Sequence, residues 1–87
     1  MRKITIYHDP GHSWAKVPVA ILTELKIADR ITRYSYRRGA YAYLEEDCDL
    51  ATFVWAYREK HGKNPEFIEK CSNRDSRIRS YPSYRAA

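Results

Sequence analysis

Residues 33–49, RYSYRRGAYAYLEEDCD, constrain the fold more than any other stretch of this chain. Strand-forming residues at 31–37 and 41–46 flank Arg38 and Gly39. Glycine supplies the positive φ that a tight hairpin turn needs, so the stretch reads as two antiparallel strands. A loop of two residues (Arg38, Gly39) or of four (37–40) sets Tyr36 opposite Tyr41 and Tyr34 opposite Tyr43. Side chains alternate along a strand, so all four tyrosines share one face, and Arg33, Ser35, Ala42 and Leu44 share the other. A three-residue loop breaks that register. Small and aliphatic side chains suit packing beneath helices, whereas a phenol hydroxyl wants water or a partner. The tyrosine face is therefore expected to point away from the helices.

Periodicity supplies the other elements. Residues 3–8 alternate, Ile4 and Ile6 against Thr5 and Tyr7, as a first strand. Asp9-Pro10-Gly11 is a turn, and residues 13–17 read as irregular. Pro18 suits the first position of a helix, with Ile21, Leu22 and Leu25 at helical spacing and an end near Lys26 or Ile27. A second helix starts at Asp47 or Asp49, whose carboxylates can cap free backbone N–H groups. Leu50, Phe53, Val54 and Tyr57 form its apolar stripe, and Gly62 is its stop. Residues 66–71, EFIEKC, make a last strand at a sheet edge.

The order β-α-β-β-α-β is that of the ferredoxin-like fold. The expectation is an α+β domain over 1–71: a four-stranded antiparallel sheet, spatial order 4-1-3-2, with both helices on one face. Residues 72–87 follow as a C-terminal arm rich in Arg, Ser and Tyr. This topology gathers His8, Asp9, His12, Trp14, Arg37, Arg38 and His61 at one end. It sends the acidic turn, Cys48, Cys71 and the start of the arm to the other.

Composition limits the function classes. Eighty-seven residues make one domain with a modest core, and 44% hydrophobic residues argue against disorder. The longest apolar run, 17–22, is too short for a membrane span, and Met1-Arg2-Lys3 leads into a strand instead of a leader's apolar region. Cys48 and Cys71 make neither a disulfide framework nor a zinc motif, so reduced thiols and a cytoplasmic location are expected. Residues 1–43 carry eight Lys/Arg and three Asp/Glu, 44–71 four and seven, and 72–87 four and one. The two basic segments favour anionic partners by biasing encounter.

His8, Asp9 and His12 are metal-ligand types, with His61 a further one, but a metal site needs a complete set. Asp9 and His12 are read instead as fixing the 9–12 turn through backbone hydrogen bonds. Acidic neighbours disfavour a Cys48 thiolate. Glu45 and Glu46 are expected to receive Arg74, Arg77 or Arg79 as the arm folds back. The most suggestive surface is Tyr34, Tyr36, Tyr41 and Tyr43 with Arg33, Arg37, Arg38 and Lys3 around it. Exposed aromatics on such a sheet stack bases; they also build homodimer interfaces. The arm, with Arg74, Arg77, Arg79, Tyr81, Tyr84 and Arg85, either contacts phosphates or straps its own domain or a dimer mate through Ile78, Tyr81 and Tyr84. No constellation supports catalysis and no cofactor is called for.

The segments DPGH (9–12), VP (17–18), YSY (34–36), YLEEDCD (43–49) and NRDSRIRSY (73–81) resemble a group of small proteins encoded by bacteriophages and prophages, over nearly the whole chain. That resemblance implies a bacterial cytoplasm during infection and a protein that counters a host system. It brings no catalytic residues. Two readings follow: a binding protein that captures an anionic ligand, nucleotide-like or nucleic acid, or an inhibitor docked on a host defence protein. The tetrapeptide DPGH is also similar to a zinc-binding motif of cell-wall amidases, which gives a third reading as a small metal-dependent hydrolase. The rest of such an enzyme does not fit in 87 residues.

Overall fold

The N-terminal alternation continues beyond the DPGH turn. In a computed structural model of the chain, which describes residues 3–86, β1 (Ile4–His8) is followed by β2 (Ser13–Pro18). The leader expectation at Met1-Arg2 and the arm's last residue, Ala87, lie outside the described residues. The two strands pair antiparallel, His8 opposite Ser13 and Tyr7 opposite Trp14. Residues 13–17 are thus a strand and not an irregular link. Ala15 and Val17 enter the core, while Trp14 packs on the opposite face. Pro18 ends this strand and sits at the N-cap of α1 (Val19–Glu24), so the helix starts one position later than expected.

Helix α1 stops where Lys26 takes a positive φ of 62°. Ile27 N–H donates to Leu22 O at 2.9 Å and Lys26 N–H to Thr23 O at 3.0 Å, which closes the helix end in a Schellman motif. Ile27 is thereby turned into the core.

The hairpin comprises β3 (Tyr36–Arg38) and β4 (Tyr41–Glu45). Its loop is Gly39-Ala40, one residue later than either expected loop, with positive φ at Gly39 alone. Tyr36 therefore opposes Tyr43, and Arg38 opposes Tyr41. The register moves by two, and an even shift keeps every side chain on its face. Tyr36, Tyr41 and Tyr43 stay together, away from the helices; Tyr34 falls outside the strand.

Helix α2 (Leu50–His61) buries Phe53, Ala56 and Tyr57 and ends at Gly62, φ 74°. Asp49 holds its N-cap position without capping it. The carboxylate instead accepts from Thr32 N–H, from Thr32 Oγ1 at 2.8 Å and from Ser35 Oγ, tying the loop before β3 to the helix start. Strand β5 (Phe67–Cys71) lies at the edge, as expected, but parallel to β1.

The sheet order is β3-β4-β2-β1-β5. The order expected of four strands survives, with β2 inserted between β1 and the hairpin. That one strand reverses the direction of everything beyond it. The fold is α+β, but its sheet is five-stranded and mixed, not the four-stranded antiparallel sheet of a ferredoxin-like domain. The reversal also brings together the groups expected at opposite ends. Trp14 now opposes Glu45 and Cys71 neighbours His8, so the acidic turn and the start of the arm lie beside the 9–12 loop.

Both helices cover one face. Leu22, Ile27, Phe53 and Tyr57 pack on Ile4, Ala15, Val17 and Leu44. Each such fully buried side chain contributes about 1.5–3 kcal/mol before ordering entropy is counted. The arm crosses the other face as a strap, through a 3-10 turn at Arg77–Ser80, and then wraps the β3 edge. Arg37 N–H donates to Pro82 O at 2.9 Å and Tyr84 N–H to Ser35 O at 2.8 Å. Tyr84 ends in the helix-side core, its hydroxyl donating to Ala28 O at 2.6 Å. The strap thereby covers the β3 edge of the hairpin.

Candidate ligand-binding groove

Strand parity places Tyr7, Tyr41 and Tyr43 on the face opposite the helices, and the strap adds Tyr81. The Tyr43 and Tyr81 rings are 5.1 Å apart at 59°. Ile78 and Tyr81 bear on this face, so it is roofed and not open. Between sheet and strap runs a groove of about 780 Å³. Those tyrosines line it together with five cations: Lys16, Arg38, Lys70, Arg74 and Arg77.

Among the described residues, none of these five has a carboxylate within 4.0 Å. Asp75 is the one acidic residue among the described residues that line the groove. Lys16 Nζ lies 4.3 Å over the Tyr41 ring, and the Arg38 guanidinium 5.1 Å over Tyr81, whose hydroxyl accepts from Arg38 Nη1 at 3.3 Å. Burial, then the neighbouring Tyr81 and Tyr7, push the Tyr43 phenol above its ordinary value, so it stays a neutral donor. Chemically, the groove offers point charges for phosphate and ring faces for stacking.

The strap is held by Asp9, whose side chain is fully buried. Its carboxylate accepts from Gly11 N–H at 3.0 Å and His12 N–H at 2.9 Å, which fixes the 9–12 turn as expected. It also accepts from Ser76 N–H at 2.8 Å and from Arg79 Nε and Nη2 at 2.7 and 2.9 Å. The Arg79 guanidinium holds this carboxyl well below the usual carboxylate range. It also lies 5.4 Å over the Trp14 ring. The arm therefore folds back onto Asp9 through Arg79, not onto Glu45 or Glu46, because β2 carries the 9–12 loop under the strap.

A second cavity of about 340 Å³ lies beside this clamp, bordered by His12, Trp14, Tyr34, Tyr36, Glu45 and Asp47, with Cys48 and Arg79 completing it. Cys48 thus shares a cavity with His12 instead of lying at the far end. Desolvation, a hydrogen bond with Glu45 and the charges of Glu45, Asp49 and Asp47 raise its pKa, so it rests as a thiol.

The expected ligand residues separate accordingly. Arg38, Tyr41, Tyr43, Arg77 and Tyr81 meet in the groove. Tyr34 and Tyr36 border the second cavity, with Tyr36 edge-on to Trp14 at 6.4 Å. Arg37, on the other parity, donates to Gly39 O and Arg85 O, both at 3.3 Å. Arg79 is committed to Asp9. Of the metal candidates, His8 has both ring nitrogens engaged, with Ser13 Oγ and with Glu69 Oε1 at 2.8 Å. Asp9 is consumed by the clamp, and His12 meets Glu45 and Asp47 instead. His61 stacks on Tyr57 at 4.4 Å. Arg74, an arm residue expected to contact phosphates, lines the groove as well. Tyr7, Lys16 and Lys70 are groove residues that the sequence reading does not single out, although the alternation of 13–18 points to Lys16.

No protein-family model, curated protein or solved structure matches this chain. No helix among the described residues is long and apolar enough to cross a membrane.

Proposed function

We propose that this chain is a non-enzymatic binding protein that captures a nucleotide-like anion in the groove under the strap. The observation that carries the reading is the set of five cations around a tyrosine floor that have no carboxylate within 4.0 Å among the described residues. Unpaired cations held together repel one another, and a polyphosphate or phosphodiester relieves that repulsion. A base stacked on an aromatic ring adds about 1–3 kcal/mol. The groove's volume falls in the range of about 300–1,000 Å³ typical of small-ligand sites. The resemblance to small phage-encoded proteins makes a nucleotide signal of bacterial host defence the first ligand class to try, in the host cytoplasm.

The test is calorimetric titration of the whole chain with cyclic and linear dinucleotides, ADP-ribose and short single strands, at about 50 and 200 mM salt. Micromolar binding of a dinucleotide-sized ligand, weakened about tenfold or more by Arg74→Ala with Arg77→Ala, supports the proposal. Affinity that grows with strand length moves the reading to nucleic acid. An absence of micromolar binding by every ligand at both salts overturns it.

A further inference from the structure

Three ligand groups converge at the second cavity, apart from the groove. His12 comes from the loop between β1 and β2, Glu45 ends β4, and Asp47 follows in the next turn. One ligand atom from each lies within 4.8 Å of the other two. Nδ1 of His12 is 3.4 Å from Oε1 of Glu45. The geometry points to a divalent transition-metal site formed by His12, Glu45 and Asp47, with Zn2+ or Mn2+ as its occupant.

The donor set is one imidazole and two carboxylates, which suits zinc and manganese better than an all-oxygen cation such as calcium. Bonds of about 2.1 Å in a tetrahedron put neighbouring ligand atoms about 3.4 Å apart. The His12–Glu45 separation already has that length. His12 and Asp47 are exposed and free to close the remaining gap, whereas Glu45 is 8% exposed and fixed. Its Oε2 accepts from Asp47 N–H at 2.9 Å. That bond aims the carboxylate and leaves it lone pairs for a metal.

Charge favours a cation here. Among the described residues no Lys or Arg lies within 4.0 Å of Glu45 or Asp47. Arg79 borders the cavity but is neutralised by Asp9. The cluster therefore sets two carboxyl groups beside one imidazole, with no ammonium or guanidinium within that distance among the described residues.

Trp14 gives a separate indication. It is 2% exposed, it borders the same cavity, and its Nε1 is the one buried side-chain polar atom among the described residues without a hydrogen-bond partner. A buried N–H left unpaired is costly, by about 1–3 kcal/mol. Three protein ligands leave a tetrahedral ion one open position, and the cavity has room for a water or small anion there. The Trp14 ring lies 6.0 Å from that of His12, centroid to centroid, which makes such an oxygen the acceptor proposed for the indole N–H.

The site is independent of the groove, so either reading can fail alone. The experiment is titration of the EDTA-treated, full-length chain with Zn2+ and Mn2+ by calorimetry, with Co2+ absorption as a second readout. The expected result is one ion per chain at micromolar affinity or better, and a tetrahedral or five-coordinate Co2+ spectrum. His12→Ala and Asp47→Asn are both at exposed positions and are expected to fold; each should weaken binding about tenfold or more with an unchanged circular dichroism spectrum. Glu45→Gln should do the same if it folds, but the two exposed variants decide. Cys48→Ser and Cys71→Ser should keep the ion. Dissociation constants above about 100 μM for both metals, binding unaffected by the His12 and Asp47 variants, or binding that follows a cysteine overturns the proposal.

Discussion

Arg79 Nε donates to Oδ2 of Asp9 at 2.7 Å, joining side chains 70 positions apart in the chain. The same carboxylate takes the N–H groups of Gly11, His12 and Ser76, so one anion fixes the β1–β2 loop and the strap together. Asp9→Asn keeps the size and removes the charge. The amides of Ser76 and Arg79 should then exchange with deuterium about tenfold faster or more, while that of Leu44 in the sheet changes less. Equal protection in both proteins would show that the strap is held by its apolar contacts alone. Gly11→Ala should act in the same direction more weakly, because a Cβ there meets Arg79 Nη2 at 2.8 Å and displaces it.

Acid should loosen the strap in a set direction. Arg79 first, with backbone N–H groups, depresses the Asp9 pKa in the folded chain below the unfolded value of about 3.9. Below about pH 4 the unfolded chain therefore binds a proton that the folded chain refuses. Stability from this group is whole above that pH and falls as pH drops toward the folded pKa. Urea midpoints at about pH 7, 4 and 2.5 should decline more steeply in the wild type than in Asp9→Asn. Parallel declines would mean that Asp9 is not linked to folding.

The parts of this fold that were legible in the sequence are those with a local cause. Gly39 and Gly62 marked their turns because positive φ is cheapest for glycine. Tyr36, Tyr41 and Tyr43 keep the expected face although the loop lies elsewhere, because only odd register shifts change faces; Tyr34 does not, because β3 starts after it. Strand β2 has a weak local signature because Trp14 and Lys16 face the strap and Pro18 looks like a helix start; its inward residues, Ala15 and Val17, are too few to announce a period. A sheet without that strand has its ends inverted, so the meeting of His12 with Glu45 and Asp47 depends on β2. Asp9 and Arg79 leave no local trace of their partnership, and Glu45 and Glu46 looked like closer anions. The groove's Lys70 and Arg74 depend on where β5 and the strap lie, which only tertiary structure decides.

Lys26 shows a local preference overridden by packing. Its φ of 62° costs a residue with a Cβ about 1–2 kcal/mol, yet it turns Ile27 into the core. Lys26→Gly removes that strain while raising the entropy of the unfolded chain. A net gain of about 0.5–1 kcal/mol is expected in urea unfolding, with no change in structure. A loss of stability would mean that the lysine stem's packing outweighs its backbone strain.

Tyr84 decides whether the strap belongs to the folding unit. Its ring is 2% exposed among helix-side residues, although most of the strap lies on the opposite face. Its hydroxyl donates to Ala28 O at 2.6 Å, and its N–H to Ser35 O. Tyr84→Phe removes one hydrogen bond and should cost about 0.5–1.5 kcal/mol. Tyr84→Ala also opens a cavity and should cost about 3–5 kcal/mol. Burial, ahead of the opposing pull of Arg37, lifts the Tyr84 phenol above its ordinary value. Its contribution is therefore complete below about pH 10 and is lost as pH rises toward the folded value. The wild type should lose stability there faster than Tyr84→Phe. A strap that were a separate tail would leave all three proteins with the same urea midpoint, and two-state unfolding with unequal midpoints excludes it.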